Sequence, residues 1–255
     1  MYRDFTALMK QHLMKKPFKV ADQMDRDILQ SVRRQLGRDF VSLIAVGSRA
    51  TGDCLPDSDY DALAFVKGTP KTDPYTSDLD RIYGVSIGIA VKPLAGWLPC
   101  FRGHADHSCP HDFMTLAFSL GKARVVGGRN ILKLVPPVKE VLKRDWKPRL
   151  LEEYRLAVTP NSPTNVFRRE PRRHVGFIIA QCETLLLTKG VSVRKEKLPV
   201  TVKKYFKDFH VDGLLKKALW RRAHWPEISA DPKQKKAALA DLKSFLEKYR
   251  VYFGA

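Results

Sequence analysis

The chain holds 255 residues, 44% hydrophobic and 10% aromatic, ordinary values for a globular protein able to bury one large core or two modest ones. No apolar run approaches the roughly 20 residues needed to cross a bilayer, and four cysteines (Cys54, Cys100, Cys109, Cys182) do not make a secreted disulfide scaffold. The net charge of +19 is uneven: residues 1–120 carry 15 Lys and Arg against 14 Asp, whereas residues 121–255 carry 31 against 13 acidic groups. A field of that sign attracts polyanions such as RNA and repels polycations.

Residues 1–16 place Phe5, Leu8, Met9 and Leu13 at the spacing of a short helix or an N-terminal arm. Asp4, Lys10 and His12 interrupt that pattern, so it does not read as a signal peptide, and a cytoplasmic setting is expected. Met24, Ile28, Val32 and Leu36 recur at helical spacing, with Asp22 as a predicted cap and Gly37 as a predicted stop. Val41 to Val46 is a short apolar run, as in a buried strand. It breaks at Gly47-Ser48, where small residues let a ligand approach the backbone closely. A polar loop with Gly52 and Pro56 follows, and Asp59-Tyr60-Asp61-Ala62-Leu63-Ala64-Phe65 re-enters an apolar pattern. Residues two apart on a strand share a face, so Asp59 and Asp61 would present two carboxylates side by side. Like charges that close repel unless a cation lies between them, and Mg²⁺ prefers carboxylate oxygens.

Gly47-Ser48, ten intervening residues and Asp59-Tyr60-Asp61-Ala62 together resemble the signature of the nucleotidyltransferase superfamily with the DNA polymerase beta-like fold. The wording Gly47-Ser48-Arg49-Ala50-Thr51-Gly52-Asp53 and Pro56-Asp57-Ser58-Asp59-Tyr60-Asp61 is most similar to the minimal nucleotidyltransferases and the aminoglycoside adenylyltransferases. The resemblance implies an α+β fold, with a small mixed sheet flanked by helices and followed by a mainly helical C-terminal domain. It implies transfer of a nucleoside monophosphate from an NTP to an acceptor. Asp59 and Asp61 would hold two Mg²⁺ ions, and Gly47 and Ser48 would hold phosphates at the start of a short helix. Arg49 would add positive charge to the phosphates, or else be a solvated loop residue.

Gly84 to Val91 reads as a third strand, with small residues at Ser86, Gly88 and Ala90 on one face. In the family this strand carries a third carboxylate beside the first two, which would fall here at Ser86 or Gly88. Neither can replace it, and Asp78, Asp80, Asp106 and Asp112 lie off the strand. The departure leaves two expectations open: an active transferase, or a member that binds a nucleotide, RNA or a partner protein, as in a toxin–antitoxin pair. A third, transfer to a small cationic antibiotic, fits the positive charge poorly.

Cys100, His104, His107, Cys109 and His111 are metal-ligating residue types within twelve positions, although their spacing matches no standard zinc module. The alternatives are a polar loop or a segment touching substrate. Phe113 to Gly121 predicts a helix and Ala123 to Gly128 a brief strand, and Pro136-Pro137 suggests a boundary between domains 1–135 and 136–255. Beyond it, Val175, Ile178, Ile179, Cys182, Leu185 and Leu186 form one helical face ended by Gly190, which makes Cys182 a packing residue. Asp231-Pro232 opens a last helix with Leu239, Leu242, Phe245, Leu246 and Tyr249 inside. Arg172, Arg173 and His174, and Lys189, Lys195 and Lys197, are similar to basic residues that face nucleotide or acceptor in the adenylyltransferase branch. For any single lysine among them a solvated surface role is the simpler expectation. Oligomeric state is left open.

Overall fold

A computed structural model describes residues 18–52, 54, 58–70, 73–101 and 112–254. The proposed N-terminal arm, the Asp53 and Leu55–Asp57 part of the motif loop, and His104, His107, Cys109 and His111 lie outside the described residues. The chain divides into two compact units between Val141 and Leu142.

The first unit is built on a four-stranded sheet of order β3-β2-β1-β4, from β1 (Phe40–Val46), β2 (Tyr60–Val66), β3 (Ile87–Pro93) and β4 (Ala123–Gly128). β1 runs antiparallel to β2 and to β4, while β2 and β3 run parallel, so the sheet is mixed. Both faces are covered, which is why β1 and β2 are apolar almost throughout. On one face lies helix α1 (Phe18–Leu36), whose Met24, Ile28 and Val32 pack on Leu43, Ala45 and Ala64. α1 begins before Asp22, so that residue lies inside the helix and does not cap it. Gly37, at φ +55°, ends it in a conformation that residues with a Cβ rarely adopt.

Helices α4 (Leu94–Phe101) and α5 (Asp112–Ser119) supply the cover of the other face. There Trp97 sits edge-on to Phe65 at 5.2 Å and stacks on Phe118 at 5.9 Å, with Ile44, Leu63 and Phe101 around it. Two further helices are short: α2 (Gly47–Thr51) follows β1 directly, and α3 (Ser77–Tyr83) precedes β3. β3 starts three residues later than the sequence pattern suggests, because Gly84 at φ +64° is needed to end α3. β3 is an edge strand, and carboxylates occupy its outward N–H groups: Asp80 accepts from Ile87 N at 3.2 Å and Asp73 from Val91 N at 3.1 Å.

The second unit is helical. α6 (Lys147–Val158), α7 (Pro171–Leu187), α8 (Leu198–Tyr205), α9 (Asp212–Ala223) and α10 (Pro232–Phe253) are its main elements. α7 is the central helix and packs against α8, α9 and α10 through Val175, Ile178, Cys182 and Leu185, all buried. Burial pushes the Cys182 thiol well above its ordinary range, which keeps it protonated as a packing residue. Asp231 accepts a hydrogen bond from Lys233 N at 2.8 Å and Pro232 takes the first turn, so α10 starts where the sequence signals it. Asn165 holds the turn between α6 and α7: its Oδ1 accepts from Phe167 N at 2.9 Å and its Nδ2 donates to Thr159 O at 2.8 Å.

Candidate functional site

The site is built at the end of the sheet where β1 runs out and β2 begins. Register places Asp61 opposite Val46 on one side and Gly88 on the other. Asp61 is the exposed residue of a strand that is otherwise buried, so its carboxylate reaches solvent from a rigid support. Two glycines flank it. A Cβ on Gly88 would lie 3.4 Å from Asp61 Oδ1, and one on Gly47 would lie 3.5 Å from Oδ2. Gly47 also has φ +70°, so the turn from β1 into α2 and the open side of Asp61 depend on the same residue.

Asp59 lies just before β2 and is half-buried. The β2–β3 ladder reaches back to it, because Tyr60 N donates to Ser86 O at 2.7 Å. A second tether comes from Arg49 on α2, whose Nε and Nη2 donate to Ser58 O at 2.9 and 2.7 Å. The Arg49 guanidinium thus clamps the backbone just before Asp59, a job for which the fork of N–H donors suits arginine better than lysine. Ser48 is half-buried within the first turn of α2.

Tyr60, between the two carboxylates, faces the opposite side of the sheet, as strand alternation requires. Its hydroxyl donates to Asp25 Oδ1 at 2.6 Å, and Arg124 of β4 donates to Asp25 Oδ2 at 2.5 Å. Burial, with the Asp25 carboxylate beside it, raises the Tyr60 phenol well above its ordinary range. This network joins α1, β2 and β4 behind the site. It was not legible in the sequence, where Asp25 is one acid among several in a helix.

The position facing Asp61 on the neighbouring strand is Gly88, and Ser86 lies at the loop before it. Asp80 accepts from the β3 backbone, Asp78 pairs with Arg81 at 3.1 Å on the surface, and Asp112 is buried at the start of α5. Among the described residues no group of three His, Cys, Asp or Glu comes together as a metal set. Asp59 and Asp61 are nonetheless a fitting pair for Mg²⁺, which typically takes one or two protein carboxylates and completes its shell with waters and substrate phosphates. The glycine on either side of Asp61 leaves room for those ligands. Cys100 is fully buried on α4 and disulfide-bonded, so its sulfur is not a thiolate ligand.

In the second unit His174 is buried, and burial lowers its pKa below the ordinary histidine value. It belongs to the core at the start of α7, whereas Arg173 is exposed and Arg172 half-buried.

Residues 26–103 match the family model described as nucleotidyltransferase domain. The chain is similar in fold to the crystal structure of spectinomycin adenyltransferase AAD(9) from Enterococcus faecialis with ATP and spectinomycin. That match has a TM-score of 0.52 at 14% sequence identity and covers 89% of this chain and 98% of that chain. At this identity the likeness is one of fold. No curated protein matches the chain. Among the described residues no helix is long and apolar enough to cross a membrane.

Proposed function

We propose, from the nucleotidyltransferase domain that this chain carries over residues 26–103, that it transfers a nucleoside monophosphate from an NTP to an anionic acceptor such as RNA. The observation that carries this is the Asp61 carboxylate, exposed at a sheet end between Gly47 and Gly88 and directly beside the start of α2. Asp59 and Asp61 would supply hard oxygen ligands to two Mg²⁺ ions. When bound, the ions would neutralise phosphate charge and lower the barrier for an incoming oxygen. Gly47, lacking a side chain, would let a phosphate come close to the backbone, and the Ser48 hydroxyl would donate to a phosphate oxygen. Arg49 acts through Ser58, holding Asp59 in place. The acceptor oxygen attacks the α-phosphorus, the bond to the bridging oxygen breaks and pyrophosphate leaves with the electron pair, while the proton of an acceptor hydroxyl passes to solvent or to the departing pyrophosphate. The protein contributes positioning and charge placement rather than a covalent intermediate.

The acceptor is argued from charge. A cationic aminoglycoside needs a negative surround, and residues 121–255 carry 31 basic against 13 acidic groups. A phosphate-rich acceptor is the better electrostatic match.

Gly88 supports a second function for the same site. With no carboxylate at that position, the domain would bind nucleotide, RNA or a partner without turnover. Calorimetry with Mg²⁺ and ATP, paired with labelled NTPs and total RNA, separates the two. Mg²⁺-dependent binding and RNA labelling, both lost in Asp61→Asn, support transfer. Binding without label on any acceptor supports the non-catalytic role, and no Mg²⁺-dependent binding overturns both.

A further inference from the structure

Residues 189–207 carry seven Lys and Arg against one Glu. The stretch spans the turn after α7, the whole of α8 and the turn beyond. A run of lysines is ordinarily a solvated face. Here aromatic rings are interleaved with it. α8 buries Leu198, Pro199 and Val202 and leaves Lys203, Lys204 and Tyr205 exposed. Lys204 Nζ lies 5.5 Å from the centre of the Tyr205 ring, and Lys189 Nζ lies 5.8 Å from that of Phe206. Tyr252, near the end of α10, packs 6.2 Å from Phe206 and 5.1 Å from Phe209. Both tyrosines nevertheless stay open to solvent, Tyr205 at 42% and Tyr252 at 38%.

Exposed rings cost stabilisation that burial would supply, and a solvated lysine face has no use for them. Among the described residues Lys189, Lys203, Lys204 and Lys207 form no ion pair, so their charge is not neutralised by the protein itself. Elsewhere in this unit basic residues are partly balanced: Arg149 by Glu152 and Glu153, Arg221 and Lys217 by Asp241, and Arg250 by Glu247. Free positive charge around half-exposed aromatic rings is the composition that tracks a phosphate backbone while stacking unpaired bases. Duplex offers the same phosphates but hides its base faces.

We propose that Lys189, Lys203, Lys204 and Lys207, with the rings of Tyr205 and Tyr252, form a binding face for single-stranded nucleic acid. The face deepens the anionic-acceptor function above and rests on it for the choice of polyanion, but it is tested without NTP. The lysines contact phosphates and the tyrosines take bases.

The test is fluorescence anisotropy of the full chain with a labelled 20-nucleotide oligouridylate between 50 and 200 mM salt. Four phosphate contacts on a single strand give a log–log salt slope of about −2.8. The quadruple Lys→Gln variant is expected to make the slope shallower by about that amount and to weaken binding at low salt. Tyr205→Ala is expected to weaken binding on the order of tenfold with the slope unchanged. All six side chains are at least partly exposed, and a thermal melt of each variant confirms that the fold is kept. Wild-type slope and affinity in the quadruple variant would overturn the proposal. So would equal affinity for a duplex of the same length. If Tyr205→Ala loses nothing and heparin binds as tightly as RNA, the face is a general polyanion site and the single-strand proposal falls. Mg²⁺-dependent ATP binding is expected to be unchanged in Tyr205→Ala and in a triple Lys→Gln variant at Lys203, Lys204 and Lys207, so a failure here leaves the nucleotide site standing and the converse also holds.

Discussion

Tyr60→Phe isolates the network behind the two carboxylates. The hydroxyl donates to Asp25 at 2.6 Å, and Asp25 is 8% exposed. A hydrogen bond to a charged group contributes about 1.5–3 kcal/mol. After the substitution Asp25 keeps Arg124 at 2.5 Å, and the Arg124 side chain is 40% exposed, so water also reaches the pair. Both facts point to the low end, about 1.5 kcal/mol at neutral pH. The pH dependence adds a signature that a simple packing loss lacks. The folded-state phenol is raised above its unfolded value of about 10, first by burial and then by Asp25. A group raised in this way holds its proton more tightly when folded, so its contribution is complete below pH 10 and is lost as pH rises further. At pH 11 the unfolded phenol is largely ionised, which removes roughly 1.4 kcal/mol from the wild type and nothing from the phenylalanine variant. Urea unfolding of both proteins at pH 8 and pH 11 measures the gap, with lysine titration cancelling in the difference. It is expected to be about 1.5 kcal/mol at pH 8 and near zero at pH 11. A gap that persists or widens at pH 11 would refute the role assigned to the hydroxyl.

Three further substitutions probe the site and its frame. Arg49→Ala removes both hydrogen bonds to Ser58 O and is expected to weaken Mg²⁺-dependent ATP binding about tenfold in calorimetry, with the circular dichroism spectrum unchanged. Unaltered affinity would show that Asp59 is held by other contacts. Gly88→Asp introduces a carboxylate at a place where a Cβ meets Asp61 Oδ1 at 3.4 Å, and it is expected to raise divalent-cation affinity by at least tenfold. No gain would show that this position does not share the Asp61 site. Gly128→Ala, far from the carboxylates, puts a Cβ 2.3 Å from Val41 O at a residue with φ +87°. It is expected to destabilise the N-terminal unit by about 2 kcal/mol or more in thermal or urea unfolding, because backbone rather than a side chain must move.

Gly88 bears most directly on turnover. Its neighbour Asp61 is well supported and exposed, yet the facing position on β3 is a glycine with no side chain to act beside it. Transfer then depends on a base, or on an acceptor oxygen that needs none.

Much of this was written locally in the chain. Met24, Ile28 and Val32 specify one face of α1, and the α7 pattern through Leu186 specifies the buried face of the central helix of the second unit, because helical period depends only on near neighbours. The turn at Gly47-Ser48 and the carboxylate of Asp61 on β2 are short-range features of the same kind, and the charge imbalance is read from composition alone. Tertiary structure decided what spans longer distances. Strand register, set by pairing 27 residues apart, put Gly88 rather than Ser86 against Asp61. Arg49 found a backbone carbonyl nine residues on, an acceptor that every residue carries and no side-chain pattern reveals. Asp25, Tyr60 and Arg124 met across three elements, a contact fixed only once the sheet and α1 had packed. Asp59 and Asp61 could therefore be proposed from the chain itself, whereas what surrounds Asp61 depended on which backbones the fold brought alongside.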